Sequence, residues 1–130
     1  MQPVTVTITM LILLQVKHYL ADYVLQPGWI LAGKGNLRKR GGYIHAGIHV
    51  LGSLPAYLFA GLSALPIVVL MAVEFIIHYL IDFTKAGLSG RSDAGPSTQS
   101  FWALHGADQL AHQLTYAGLI YAALKWSAGI

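Results

Sequence analysis

Four long apolar stretches run along this chain, and each is broken at one-turn intervals by ionisable side chains. The stretches cover about residues 4–25, 43–60, 67–83 and 101–125. Apolar runs of roughly 20 residues are long enough to cross a bilayer as helices. Pro27 and Gly28 stop the first. A tight connection, residues 61–66, joins the second to the third, and a Gly- and Ser-rich segment, residues 85–100, reads as a flexible loop before the fourth. The pattern predicts an all-α polytopic membrane protein: one domain over residues 1–130, built as a bundle of four transmembrane helices. No repeat of the two halves is strong enough to claim.

Composition sharpens this picture. Of the 130 residues, 55% are hydrophobic and 10% charged, with mean hydropathy +0.58. Soluble domains usually carry about 25% charged residues. A separate soluble domain does not fit the length. There are no cysteines, which excludes disulfides, thiolate metal sites and iron–sulfur clusters. The N-terminal segment lacks a basic region and a small-residue cleavage site, so it reads as a retained first helix.

The polar residues inside the apolar stretches carry the chemistry. The pairs are His18-xxx-Asp22, His45-xxx-His49, Glu74-xxx-His78-xxx-Asp82 and Asp108-xxx-His112, with His105 one turn before Asp108. All six histidines and every carboxylate except Asp93 belong to this set. Spacing of i,i+4 places two side chains on one helix face. Ionisable groups within a membrane are costly and mark functional sites. Asp22, His45, Asp82 and His105 lie near one edge of their spans. His18, His49, His78 and Asp108 come one turn deeper, about 6 Å, and Glu74 and His112 a turn deeper still. The pairs therefore align in depth as one cluster.

Charge sets the expected orientation. Net charge is +3 and pI about 9.3. Lys34, Arg38, Lys39 and Arg40 follow the first span, and Lys85 and Arg91 the third, whereas the opposite side carries only Lys125. The positive-inside rule puts both long loops in the cytoplasm and both termini outside. The 34–40 run is read as an orientation signal rather than a phosphate binder, Lys85 as snorkelling outward rather than pairing with Asp82, and no nucleic-acid partner is expected. Trp29, Trp102 and Trp126 fall near span boundaries, as an aromatic belt does. Gly47 and Gly52 are read as close-packing positions. Tyr19, Tyr79 and Tyr116 are read as packing residues. Four short helices leave surface for a homodimer.

Imidazole and carboxylate donors without thiolate suit zinc first, with iron or manganese as alternatives. The expected ligands are His18, Asp22, His49, His78, Asp82, Asp108 and His112, with His45 either a ligand or a supporting group. Glu74 is expected as a general base or as a residue orienting a ligand. Gln15, Gln26, Gln109 and His105 are expected to hydrogen-bond the ligands, although His105 alone also suits an interface. The bland alternative is a metal-free polar network.

The segments His18-Tyr-Leu-Ala-Asp22-Tyr-Val-Leu-Gln26, His45-Ala-Gly-Ile-His49, Glu74-Phe-Ile-Ile-His78-Tyr-Leu-Ile-Asp82-Phe-Thr-Lys85 and Asp108-Gln-Leu-Ala-His112, with Phe101-Trp102 ahead of the last, resemble a family of small bacterial and phage inner-membrane proteins. It is the domain-of-unknown-function family numbered 3307. The resemblance covers nearly the whole chain and implies a bacterial inner-membrane location and a shared site at the matched residues. It supplies no substrate. A looser resemblance extends to predicted membrane-bound metal-dependent hydrolases.

The leading expectation is a metal-dependent hydrolase at the cytoplasmic membrane face, acting on a phosphoester, ester or amide, with a lipid or small molecule as substrate. The His-Glu-xx-His spacing of zinc peptidases is absent. A di-iron redox enzyme is the second reading, although the adjacent histidines of membrane desaturases are missing. A metal or proton transporter is the third. It would need polar groups toward the outer face, where spans two and three offer only Ser53 and Ser63. Haem ligation by paired histidines is the fourth.

Overall fold

A computed structural model describes residues 2–129 of the chain. The fold is all-α, with no strand among the described residues. Helix α1 runs Pro3–Tyr19 and continues as one turn of π-helix, Leu20–Val24. A four-residue helix α2, Gly28–Leu31, sits in the first loop. The long helices α3 (Gly41–Phe59), α4 (Ala64–Ser89) and α5 (Gln99–Ser127) follow.

Local chemistry explains most boundaries. Pro3 opens α1, where the missing N–H removes nothing from the helix. Pro66 is accommodated in the first turn of α4 for the same reason, so that helix begins earlier than the expected residue 67. It also runs beyond residue 83 to Ser89, because residues 84–89 contain no proline and Ala86 packs against Gly35 of the first loop. The Thr98 hydroxyl caps α5 by accepting from the Phe101 amide. The connection between α4 and α5 is therefore residues 90–98, shorter than the sequence suggested.

The four long helices lie side by side, with α3 between α1 and α4 and with α5 packed against α4 and α1. Helices α1 and α4 thus face each other across the diagonal. Their apolar interior occupies one end only: Met10, Leu14, Tyr57, Leu70, Leu119 and Ile120 are buried there together. At the other end the interior is polar, with His45, His49, Glu74, His78, Asp82, Asp108 and His112 all buried. The outward faces are apolar, including Ile8, Ile12, Leu51, Leu58, Val68, Ile76, Leu80 and Leu114. Ionisable groups inside and large hydrocarbons outside invert the usual soluble arrangement. Two helices, Pro3–Val24 and Ala64–Ser89, are long and apolar enough to cross a membrane.

The first loop is held down by glycine. A Cβ on Gly33 would stand 2.7 Å from the Gly41 Cα, and one on Gly41 2.6 Å from the Ile30 carbonyl oxygen. Only backbone without side chains fits this crossing. It fixes the neighbouring Lys34 against the helix ends, and Lys34 is buried. Gly52 packs against the stem of Lys17, whereas a Cβ on Gly47 would meet no neighbour within 4 Å. Of the two expected close-packing glycines, one is used.

Candidate metal centre

Each long helix brings its pair to the same place. Helix α1 supplies His18 and Asp22, α3 His45 and His49, α4 His78 and Asp82, and α5 Asp108 and His112. The π-helical turn matters here. Its wider winding is closed by the Leu25 amide donating to the Leu20 carbonyl at 2.8 Å. Such turns are rare and cluster at functional sites. The Gln26 side chain donates to the Asp22 carbonyl at 3.0 Å, which secures the end of the turn.

Two carboxylates organise the cluster. Asp22 Oδ1 lies 3.0 Å from His45 Nε2 and 3.1 Å from His49 Nε2, and its Oδ2 is 3.2 Å from His18 Nε2. Asp82 Oδ2 lies 3.3 Å from both His45 Nε2 and His78 Nε2, and its Oδ1 is 3.5 Å from His112 Nε2. Asp108 reaches the same His112 atom at 3.6 Å. The imidazole rings of His49 and His78 are 3.8 Å apart between centroids, joining the two sides.

Three sets of ligand-type atoms come within 4.8 Å of one another: His18, Asp22 and His49; His78, Asp82 and His112; and His45, His49 and His78. The first two sets share no residue and have the same makeup, two imidazoles and a carboxylate. Each combines a His-Tyr-Leu-x-Asp segment, at residues 18–22 and 78–82, with a histidine from a neighbouring helix. The diagonal placement of α1 and α4 turns this short sequence match into the same local arrangement built twice. His45 stands between the two carboxylates.

Many of these atoms approach without hydrogen bonding. His45 Nε2, His78 Nε2, His112 Nε2, Asp82 Oδ2 and Asp108 Oδ1 are buried and have no hydrogen-bond partner. Leaving a buried polar atom unpaired costs about 1–3 kcal/mol, and native structures hold few of them. Donor atoms around one ion, at metal–ligand distances of about 2.0–2.2 Å, stand roughly 3.0–3.6 Å apart. The observed nitrogen–oxygen separations fall in that interval. Orphaned lone pairs at ligand–ligand spacing, with nitrogen and oxygen donors only, fit a divalent cation.

Around this core lies a layer that sequence reasoning read only in part. The Gln109 carbonyl oxygen is 3.0 Å from His18 Nε2, and its amide donates to Asp108 Oδ2 at 3.2 Å. Tyr116 is not a mere packing residue, since its hydroxyl is 2.8 Å from His18 Nδ1 and 3.5 Å from His49 Nδ1. The signal was present in the sequence, because Tyr116 continues the Asp108–His112 face by one more turn. Gln15 is half-buried and makes no side-chain hydrogen bond among the described residues. His105 stacks beside Phe101 and meets the Trp102 ring edge-on, and it joins none of the three ligand sets.

Three lysines were missed as parts of the site. Lys34 Nζ lies 2.9 Å from Asp82 Oδ2, so this member of the basic run is an internal cation. Lys85 donates to Asp108 Oδ2 at 2.9 Å instead of snorkelling outward. Lys17 is buried between helices, where it pairs with Glu74 Oε1 and reaches His49 Nδ1 at 3.3 Å. Glu74 accepts in addition from Ser53 at 2.8 Å and Tyr57 at 3.1 Å. It forms the floor of the polar interior, one turn below His78.

A cavity of about 440 Å³ opens onto the cluster, lined by Asp22, Gln26, Lys34, Lys85, His105, Asp108 and Gln109 and by the apolar Leu31, Phe101 and Leu104. The polar end of the bundle is therefore reachable from one side.

The chain belongs to the family described as Protein of unknown function (DUF3307), whose model matches residues 10–128. That range contains every ligand-type residue of the cluster and the three lysines paired with its carboxylates. No curated protein and no solved structure matches the chain.

Proposed function

We propose that this protein is an integral membrane hydrolase that uses one or two divalent ions, zinc foremost, held at the cytoplasmic end of a four-helix transmembrane bundle. The observation that carries the reading is the convergence of imidazole and carboxylate atoms from four helices at ligand–ligand spacing, those of His45, His78, Asp82, Asp108 and His112 including buried atoms without a hydrogen-bond partner. An ion bound there would activate a water molecule for attack on an ester or phosphoester bond. The water oxygen bonds to the electrophilic centre, the bond to the leaving oxygen breaks, and that oxygen takes up the proton.

In this reading His18, Asp22 and His49 hold one ion, and His78, Asp82 and His112 the other. His45 joins the two, and Asp108 completes the second. Three ligands, His18, Asp22 and His49, would leave the first ion a position for water and substrate. Tyr116, at His18 Nδ1, orients the ring so that Nε2 faces the Asp22 side, as partners of metal-bound histidines do. Glu74, engaged by Lys17, Ser53 and Tyr57, acts as the structural floor rather than as the base.

Membrane insertion is supported by the apolar outward faces, the buried charges and the two long apolar helices. Helices α3 and α5 cross as well in this reading, with their polar residues turned into the bundle. The excess of Lys and Arg in the two long loops supports a bacterial inner-membrane topology with those loops cytoplasmic and both termini outside. Transport is disfavoured because the interior beyond Glu74 is hydrocarbon, from Leu14 and Leu70 to Ile120, which gives an ion no path.

The test is elemental analysis of detergent-purified protein that carries no metal-binding tag. Near-stoichiometric zinc or manganese is expected, lost in His49→Ala and Asp82→Ala. Absence of metal after add-back would overturn the site. Stoichiometric iron with an oxygen-dependent optical change would overturn hydrolysis in favour of redox chemistry.

A further inference from the structure

We propose that the substrate is a phosphomonoester lipid, its phosphoryl group received in the cavity by Lys34 and Lys85 and its hydrocarbon laid in a groove between α4 and α5. The proposal deepens the hydrolase reading and rests on it for the reaction and for the charge of the site; the groove and the two amines that line the cavity are separate observations.

The first observation is a second cavity. A groove of about 340 Å³ between α4 and α5 is lined mainly by Leu80, Ile81, Leu88, Leu104, Ala107 and Ala111. It shares Lys85, Leu104 and Asp108 with the larger cavity. A hydrocarbon surface on the outside of the bundle thus leads to an amine and then to the polar vestibule. Both volumes fall within or near the roughly 300–1,000 Å³ of small-molecule sites. A soluble anion would need only the vestibule, whereas a lipid phosphate would occupy both.

The second argument is charge, and it follows from the two-ion reading. Lys17 is neutralised by Glu74. With two divalent ions bound, Lys34 and Lys85 add two further positive charges, and Asp22, Asp82 and Asp108 supply three negative ones. Three positive charges remain in a pocket walled by hydrocarbon, a costly state unless an anion enters. A phosphomonoester dianion removes most of this excess. Neutral esters and amides leave it in place.

The third observation is reach. Lys34 and Lys85 contact Asp82 and Asp108, the carboxylates on the α4–α5 side of the cluster, and both amines line the vestibule. A phosphoryl group received by these amines would stand beside Asp82 and Asp108, the carboxylates they contact. Hydrolysis there would consume one water, break the phosphorus–oxygen bond and release the lipid alcohol and inorganic phosphate.

The experiment is calorimetric titration of the full chain in a phosphate-free detergent, with metal content measured on the same samples. The probes are dioctanoyl phosphatidate, dioctanoylglycerol and inorganic phosphate. Phosphatidate should bind at least tenfold more tightly than either of the others. Lys85→Gln and Lys34→Gln should each weaken phosphatidate binding about tenfold. Ala107→Trp, which fills the groove, should weaken phosphatidate and leave inorganic phosphate unchanged. Because Ala107 is exposed on the helix surface, this variant keeps the test informative if Lys34→Gln fails to fold. Equal affinity for inorganic phosphate would overturn the lipid assignment in favour of a soluble phosphate. Equal affinity for dioctanoylglycerol would overturn phosphoryl recognition. Metal-loaded protein that binds no phosphatidate sinks this proposal while sparing the metal site. Metal-free protein that binds it through Lys34 and Lys85 does the reverse.

Discussion

His45 Nε2 lies 3.0 Å from Asp22 Oδ1, buried, yet the two atoms are not aligned as a hydrogen bond. The same nitrogen stands 3.3 Å from Asp82, so one imidazole touches both halves of the cluster. His45→Ala is expected to reduce bound metal from about two ions per chain to about one, with the helical fold retained. Gln109→Ala, which removes a side chain that contacts both His18 and Asp108, should keep the full complement while weakening affinity by roughly 10–100-fold. Elemental analysis and competition with a chromophoric chelator read both. Unchanged metal content in His45→Ala would remove it from the centre.

The Lys17–Glu74 pair predicts a stability pattern. Glu74→Ala leaves the buried Lys17 ammonium without a counter-charge and should cost about 3–5 kcal/mol. Replacing both, as Lys17→Met with Glu74→Leu, should recover most of that loss, because no charge then remains to be solvated. Denaturation of the detergent-solubilised protein measures both variants. A double variant as unstable as the single one would mean that the residues act through something other than their charges.

Topology can be read directly, since the chain has no native cysteine. A single cysteine at Ser92, in the loop between α4 and α5, should label only with reagents that reach the cytoplasm. One at Thr5, near the start of α1, should label from outside. A reporter fused after Gly90 should be active only if it is a cytoplasmic reporter. Labelling of Ser92→Cys from the outside would invert the assignment.

The glycine crossing that places Lys34 is testable by volume alone. Gly33→Val puts branched carbon where the Gly41 backbone already stands and should cost roughly 1–3 kcal/mol. Gly47→Ala, at a position with open space around it, should be neutral or slightly stabilising. Thermal unfolding distinguishes the two. Equal effects would mean that the loop does not depend on the Gly33–Gly41 approach.

The sequence by itself determined the helices and their polar faces. Apolar run length predicted four long helices, and i,i+4 spacing placed His18 with Asp22, His78 with Asp82 and Asp108 with His112, because helical geometry is local and fixes which side chains share a face. It also fixed the donor chemistry, nitrogen and oxygen without sulfur. Only the tertiary structure decided which faces meet. That His49 joins the α1 pair and His112 the α4 pair depends on the rotation and register of packed helices, which no local spacing encodes. The π-helical turn at Asp22, the entry of Lys34 from a loop past the Gly33–Gly41 crossing, and the pairing of Lys17 with Glu74 are of the same kind. The last two join residues far apart in the chain. In an apolar interior a charge is stable only beside its partner, so packing chose those partners.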